Sequence, residues 1–235
     1  MAAVLDNRGP VLGLIPAKGG SKRLARKNVL PLGGKPLLQW AVDTARESRI
    51  LDCLIVSTED EEIAGLARGM GAEVPFLRPE FLARDPYGVV DVALHALDVL
   101  EKAGQAFATL VILLPTCPLR TPDDVAAAYR KYLDDKALFL MSVSACDHTP
   151  FSALNFLPDG RLSPFFPEYM GRRPGTLPAA YRCNGAIHVL DVEAFRREKS
   201  YYAQPLTGYL MPPERSVDID TAQDLALAEL ILAGR

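Results

Sequence analysis

The chain has 235 residues, of which 49% are hydrophobic and 23% charged, with a formal net charge of −3. That length and apolar content suit one domain with a substantial core, and the mild acidity excludes a global attraction to nucleic acid or to an anionic membrane, so any basic cluster must be local. The opening MAAVLDNRGP lacks a basic stretch followed by an apolar one, and runs such as Leu110 to Leu114 fall far short of the roughly 20 residues that cross a bilayer, so the expectation is a soluble, cytoplasmic protein.

In chain order, Val11–Pro16 reads as a strand and Lys35–Arg46 as a helix; Cys53–Ser57 and Glu59–Arg68 repeat the pair, and a further helix starts near Val89. Thr109–Leu114 and Pro122–Leu133 continue the rhythm, and Leu138–Ser144 is again a strand. Such alternation predicts an α/β fold with a mostly parallel sheet and helices on both faces. Thr58 before Glu59-Asp60-Glu61-Glu62 and Thr121 before Pro122-Asp123-Asp124 look like helix caps followed by first-turn acids, which the macrodipole favours. The rhythm breaks from about 147 to 182, where Pro150, Pro158, Pro164, Pro167, Pro174 and Pro178 mix with aromatics; the expectation is one domain, 1–235, carrying an inserted lobe there. A strand at Ala186–Leu190, a helix from Val192, a strand near Gly208–Met211 and a helix from Thr221 to about Leu232 complete the chain. Cys53, Cys117, Cys146 and Cys183 are widely spaced with no Cys-x-x-Cys pair, which reads as reduced thiols.

In parallel α/β sheets ligands bind beyond the carboxyl ends of the strands, so the loop after the first strand carries the first candidates. Its eleven residues, Lys18 to Asn28, hold five cations: Lys18, Lys22, Arg23, Arg26 and Lys27. Gly19 and Gly20 allow backbone N–H groups to approach an anion, Ser21 adds a donor, and several point charges suit a triphosphate better than one carboxylate; the alternative is a solvated basic loop. Neither G-x-x-x-x-G-K-[ST] nor G-x-G-x-x-G is present, so side chains would hold the phosphates. Near the C-terminus, Ser216-Val217-Asp218-Ile219-Asp220 places two carboxylates on one side of an extended segment, about 7 Å apart, able to share a hard cation such as Mg²⁺; helix capping is the alternative for Asp220. Arg78 and Asp85 could face a ligand or form an exposed ion pair, and His95 reads as a packed or surface histidine. Three histidines without metal spacing argue against zinc.

Taken together, Ile15-Pro16-Ala17-Lys18-Gly19-Gly20-Ser21-Lys22, Arg26-Lys27-Asn28, Val56-Ser57-Thr58-Glu59-Asp60, Pro115-Thr116-Cys117-Pro118-Leu119-Arg120, Asn184-Gly185-Ala186-Ile187 and Ser216-Val217-Asp218-Ile219-Asp220-Thr221 resemble the acylneuraminate cytidylyltransferases, the CMP-sialic acid synthetases, in motif order from about residue 11 to 232. The resemblance implies a nucleotide-diphospho-sugar transferase, Rossmann-like fold, and a homodimer built partly through the lobe. It also implies transfer of CMP from CTP to a small acidic acceptor, with Mg²⁺ on Asp218 and Asp220. Lys18, Lys27 and Asp220 would be catalytic; Ala17, Lys18, Gly19, Gly20, Ser21, Lys22, Lys27, Asn28, Arg78 and Asp85 would lie on the nucleotide side. Leu114, Arg173, Asn184, His188, Tyr201 and Tyr202 would lie on the acceptor side.

Several positions depart from the family pattern where substrate is read. Lys18 replaces an arginine, keeping the charge without the bidentate fork. Leu114 replaces a glutamine that touches the acceptor sugar, His188 replaces a tyrosine, and Pro86-Tyr87-Gly88-Val89 lacks the usual hydroxyls. A pocket that exchanges glutamine for leucine penalises a polyhydroxylated acceptor by leaving a hydroxyl unpaired, which argues against N-acetylneuraminate itself. Other nonulosonic acids, or small phosphonates such as phosphonoformate, are the expected acceptors. Transfer of GMP to an amino-sugar phosphate and a non-catalytic nucleotide-binding module are the alternatives.

Overall fold

The structure is a computed structural model that describes residues 9–234; most of the stretch read above for a leader lies outside them. The chain runs through β1 (Val11–Pro16), a short hairpin of β2 (Pro31–Leu32) and β3 (Lys35–Pro36), α1 (Leu37–Glu47), β4 (Cys53–Ser57), α2 (Glu61–Gly69), α3 (Val89–Lys102), β5 (Thr109–Ile112), α4 (Pro122–Asp134) and β6 (Phe139–Ala145). A second hairpin, β7 (Leu154–Phe156) with β8 (Leu162–Pro164), leads to β9 (Tyr181–Asp191), α5 (Val192–Glu198), β10 (Leu206–Leu210) and α6 (Ala222–Ala233).

Six strands form one sheet in the order β10-β6-β9-β5-β1-β4. β1 is parallel to β4 and β5, and β10 is parallel to β6. β9 alone is antiparallel, pairing with both β5 and β6. The reason lies in the lobe: the chain leaves the sheet at the carboxyl end of β6 and returns at that same end, with Ala145 opposite Tyr181 and Cys146 N–H bonded to the Ala180 carbonyl, so the returning strand has to run back. β9 is also longer than the expected strand at 186–190, because the lobe's exit joins it to the sheet from Tyr181 onward.

Both faces of the sheet are covered, which is why the strands read as continuous apolar runs. In β1, Val11 and Ile15 enter a cluster with α1, α2 and α4, while Leu12 and Leu14 enter one with α3 and α5. A third cluster, Leu32, Leu37, Leu119, Ile219 and Ala228, packs α6 beside the β2–β3 hairpin and fixes the segment that precedes α6.

Two helix starts differ from expectation. α1 begins at Leu37, because Lys35 and Pro36 pair with β2. α2 is capped by Asp60, whose side chain accepts from Ile63 N–H; Thr58 instead follows the end of β4 and accepts from Asp60 N–H through its hydroxyl. Thr121 and Thr221 do cap α4 and α6, each in a reciprocal box with Asp124 or Asp224, so Asp220 is not the cap. Among the described residues no helix is long and apolar enough to cross a membrane.

Candidate active site

A cavity of about 320 Å³ opens at the carboxyl ends of β1 and β5, the place where a sheet of this kind binds ligands. Its walls come from four segments far apart in sequence: the loop after β1, the stretch from Arg78 to the start of α3, the segment after β5, and Asp218 with Asp220. Lys18, Ser21, Lys27, Asn28, Arg78 and Leu114 all line it.

The two aspartates reach it by strand-like alternation. Ile219 is fully buried in the α6 cluster and its N–H donates to the Thr116 carbonyl at 2.7 Å, so the residues on either side face the cavity. Asp220 is held by two cations, Lys27 Nζ at 2.7 Å and Arg23 Nη2 at 2.8 Å. Burial, and then the neighbouring charge of Asp220, push the Asp218 carboxyl above its ordinary range. Two mutually repelling carboxylates on one cavity wall form a hard oxygen donor set that fits Mg²⁺, which usually takes one or two protein carboxylates and completes its shell with phosphate and water. A third protein ligand is not to be expected of such a site, and the described residues contain no group of three or more candidate ligands. The segment is anchored upstream by Arg215, whose guanidinium grips the buried Asp124 at 2.8 and 3.0 Å.

The basic loop is tied down at several points. Asn28 Nδ2 donates to the Lys18 carbonyl at 2.8 Å and closes the loop on itself. Arg26, in the left-handed region at φ 54°, bridges Asp60 and Glu62 at the start of α2. Gly19 is required for a reason the sequence did not expose: a Cβ there would stand 2.4 Å from Asp60 Oδ2. Its N–H is bonded to Glu59 Oε1 at 2.8 Å, so it is not a free anion donor in this conformation.

Other expected residues fall elsewhere. Ala17 is fully buried beneath the loop, its N–H bonded to the Ser57 carbonyl. Lys22 and Asp85 bond to each other at 2.5 Å, both largely exposed, and with Gly20 they border a neighbouring surface groove instead of the cavity. Asn184 is 1% exposed and its amide is engaged by Ser142, Ser216 and Ala186 N–H, so it braces β9 beneath the site and does not face the cavity. Arg173 is exposed on the lobe. His188, Tyr201 and Tyr202 form a column of rings with centroids 4.7 Å apart at each step, outside the cavity lining. His188 is buried with Nδ1 unpaired, and burial pushes its pKa down to about 4, so the ring is neutral. His95 packs edge-on against Phe76, in keeping with a packed histidine.

Sequence reasoning missed Arg23 and Glu59. Arg23 lay in the basic loop but matched no motif position, and Glu59 was read as a first-turn acid, whereas α2 starts two residues later and Glu59 bonds Gly19 and Arg78.

A mostly parallel α/β sheet with a cationic loop at the end of its first strand and an aspartate pair in the same cavity is the architecture of a nucleotidyltransferase. Residues 12–92 match the family model described as cytidylyltransferase. The chain is 30% identical over 220 residues to the pseudaminic acid cytidylyltransferase of Campylobacter jejuni subsp. jejuni serotype O:2, covering 94% of this chain and 95% of that one. It is 31% identical over 229 residues to the CMP-N,N'-diacetyllegionaminic acid synthase of Legionella pneumophila subsp. pneumophila, covering 94% and 96%. The solved structure of CMP:2-keto-3-deoxy-manno-octonic acid synthetase complexed with CTP superposes with a TM-score of 0.69 at 18% identity, covering 96% of this chain and 99% of that one, which supports the fold. The chain belongs to the acylneuraminate cytidylyltransferase family and is a CTP-dependent nucleotidyltransferase.

Proposed function

We propose that this enzyme joins CMP from CTP to a nonulosonic acid in the cytoplasm, acting as a homodimer with Mg²⁺ as cofactor. The observation that carries the reading is the meeting of Lys18, Arg23, Lys27, Arg78, Asp218 and Asp220 around one cavity that Leu114 also lines. Lys18, Ser21 and Lys27 face the triphosphate, and Asp218 and Asp220 hold the cation. Mg²⁺ bound there supplies charge neutralisation at the phosphates. Lys27 and Arg23 hold Asp220 in place, so that the carboxylate needs little rearrangement on binding. The acceptor's hydroxyl oxygen bonds to the α-phosphorus as its proton passes to solvent, the bond from the α-phosphorus to the α–β bridging oxygen breaks, and pyrophosphate leaves. Such chemistry rests on positioning and charge more than on a protein nucleophile, which agrees with a cavity rich in cations.

The relatives named above act on pseudaminic and legionaminic acids, and Leu114, which cannot hydrogen-bond an acceptor hydroxyl, favours acceptors of that class over N-acetylneuraminate. The lobe presents Phe156 at 75%, Phe165 at 60% and Leu162 at 52% exposure, an apolar surface suited to a second copy of the chain. Four free cysteines agree with a reducing, cytoplasmic site of action.

The test is pyrophosphate release by the purified protein with Mg²⁺, each of the four NTPs and a panel of nonulosonic acids and small phosphonates. Release is expected only with CTP and a nonulosonic acid; it should stop with EDTA and return with Mg²⁺. Release with a phosphonate alone would move the acceptor class, and release with GTP would overturn the nucleotide assignment. F156D should shift the protein from dimer to monomer in light scattering; an unchanged mass would exclude the lobe as the interface.

A further inference from the structure

Glu59 sits one residue beyond the buried Thr58, where β4 runs out between the two walls of the cavity. Its carboxylate makes two bonds in opposite directions. Oε1 accepts from Gly19 N–H at 2.8 Å, in the basic loop, and Oε2 accepts from Arg78 Nη2 at 2.5 Å, in the facing wall. Both ends are sheltered: the side chains of Arg78 and Glu59 are 3% and 13% exposed. Two backbone bonds run beside it, Ala17 N–H to the Ser57 carbonyl at 3.0 Å and Arg78 N–H to the Thr58 carbonyl at 2.9 Å, so both walls hang on the last residue of β4 and the one after it.

Arg78 is the cavity's most deeply buried cation, and its Nε is buried without a partner. A guanidinium that lines the cavity and is gripped at one nitrogen keeps further N–H groups to donate to something bound there. Without its carboxylate that cation would be uncompensated and its orientation undetermined.

We propose that Glu59 is a positioning residue for nucleotide binding: one carboxylate that orients the Arg78 guanidinium into the cavity and fixes the Gly19 end of the phosphate loop. This rests on the cytidylyl transfer reading above. Glu59 touches no reacting atom, and its work is to set the distance between two walls whose other side-chain link among the described residues is the largely exposed pair of Lys22 and Asp85. A glutamine of the same shape cannot replace it. Its amide oxygen can serve Gly19 or Arg78, but its NH₂ then turns a donor toward the other donor.

The test compares wild type, E59Q, R78A and the double variant, with CTP and Mg²⁺ as the probe. CTP dissociation constants come from calorimetry, and KM and kcat from pyrophosphate release at saturating acceptor. E59Q should weaken CTP binding and raise its KM by about 10-fold or more, with kcat changed by less than about 3-fold, the pattern of lost ground-state binding. R78A should do the same, and adding E59Q to R78A should weaken binding by less than about 2-fold further. R78K, which keeps the charge but cannot reach both Glu59 and the cavity, should behave as E59Q does and stands in if E59Q fails to fold. Wild-type affinity in E59Q, or fully additive effects in the double variant, would overturn the positioning role. A wild type that binds CTP but releases no pyrophosphate would overturn the transfer reading and leave the binding comparison intact.

Discussion

The charged end of the cavity and its apolar end are built on opposite terms. At the charged end nearly every charge has a fixed partner: Lys27 and Arg23 on Asp220, Arg78 on Glu59, Arg26 on Asp60 and Glu62. At the other end, Leu114 presents carbon to the cavity, while the ring column outside the lining includes a neutral histidine with an unpaired nitrogen. One end holds charge in preset geometry, and the other offers a carbon surface.

The largest effect should come from breaking the charged end. D220A removes a carboxylate from the cation pair and leaves Lys27 and Arg23 unpartnered, and kcat/KM for CTP should fall by about 1000-fold or more, worth about 4 kcal/mol. Pyrophosphate release within about 10-fold of wild type would remove Asp220 from the site. Next is the buried histidine. Its folded pKa, pushed to about 4 by burial, lies below the unfolded value of 6.5. Stability from this neutral group is therefore complete above pH 6.5 and lost as pH falls toward 4, on the order of 3 kcal/mol in all. Urea midpoints at stepped pH should decline steeply for wild type across that window and more shallowly for H188F, which keeps the ring contact with Tyr201. Parallel declines would assign the acid sensitivity elsewhere.

The smallest effect sharpens the contrast directly. L114Q places an amide where the cavity wall is now carbon, and kcat/KM for the preferred acceptor should drop about 10-fold while the KM for CTP moves by less than about 2-fold. A matching rise in the KM for CTP would mean that the two ends are not separable.

Much of the framework was legible because it is written in short-range patterns. Alternating strand and helix runs gave the α/β class, Thr121 gave the cap of α4, and the period of an extended chain turned Asp218 and Asp220 toward the same cavity with Ile219 packed away. The cap at α2 was misread because Thr58 and Asp60 are both good caps two residues apart, and only the reach of β4 decides between them. Asn184 was read as a ligand-facing amide, although its partners Ser142 and Ser216 are 42 and 32 residues away.

By itself the sequence determined the class of fold, the basic loop and the paired aspartates, since each depends on residues within a few positions of one another. Tertiary structure alone decided the direction of β9, the burial of Asn184 and His188, and the bridge from Gly19 through Glu59 to Arg78. Those depend on which strand ends lie side by side, and that register is fixed by the packing of the whole sheet.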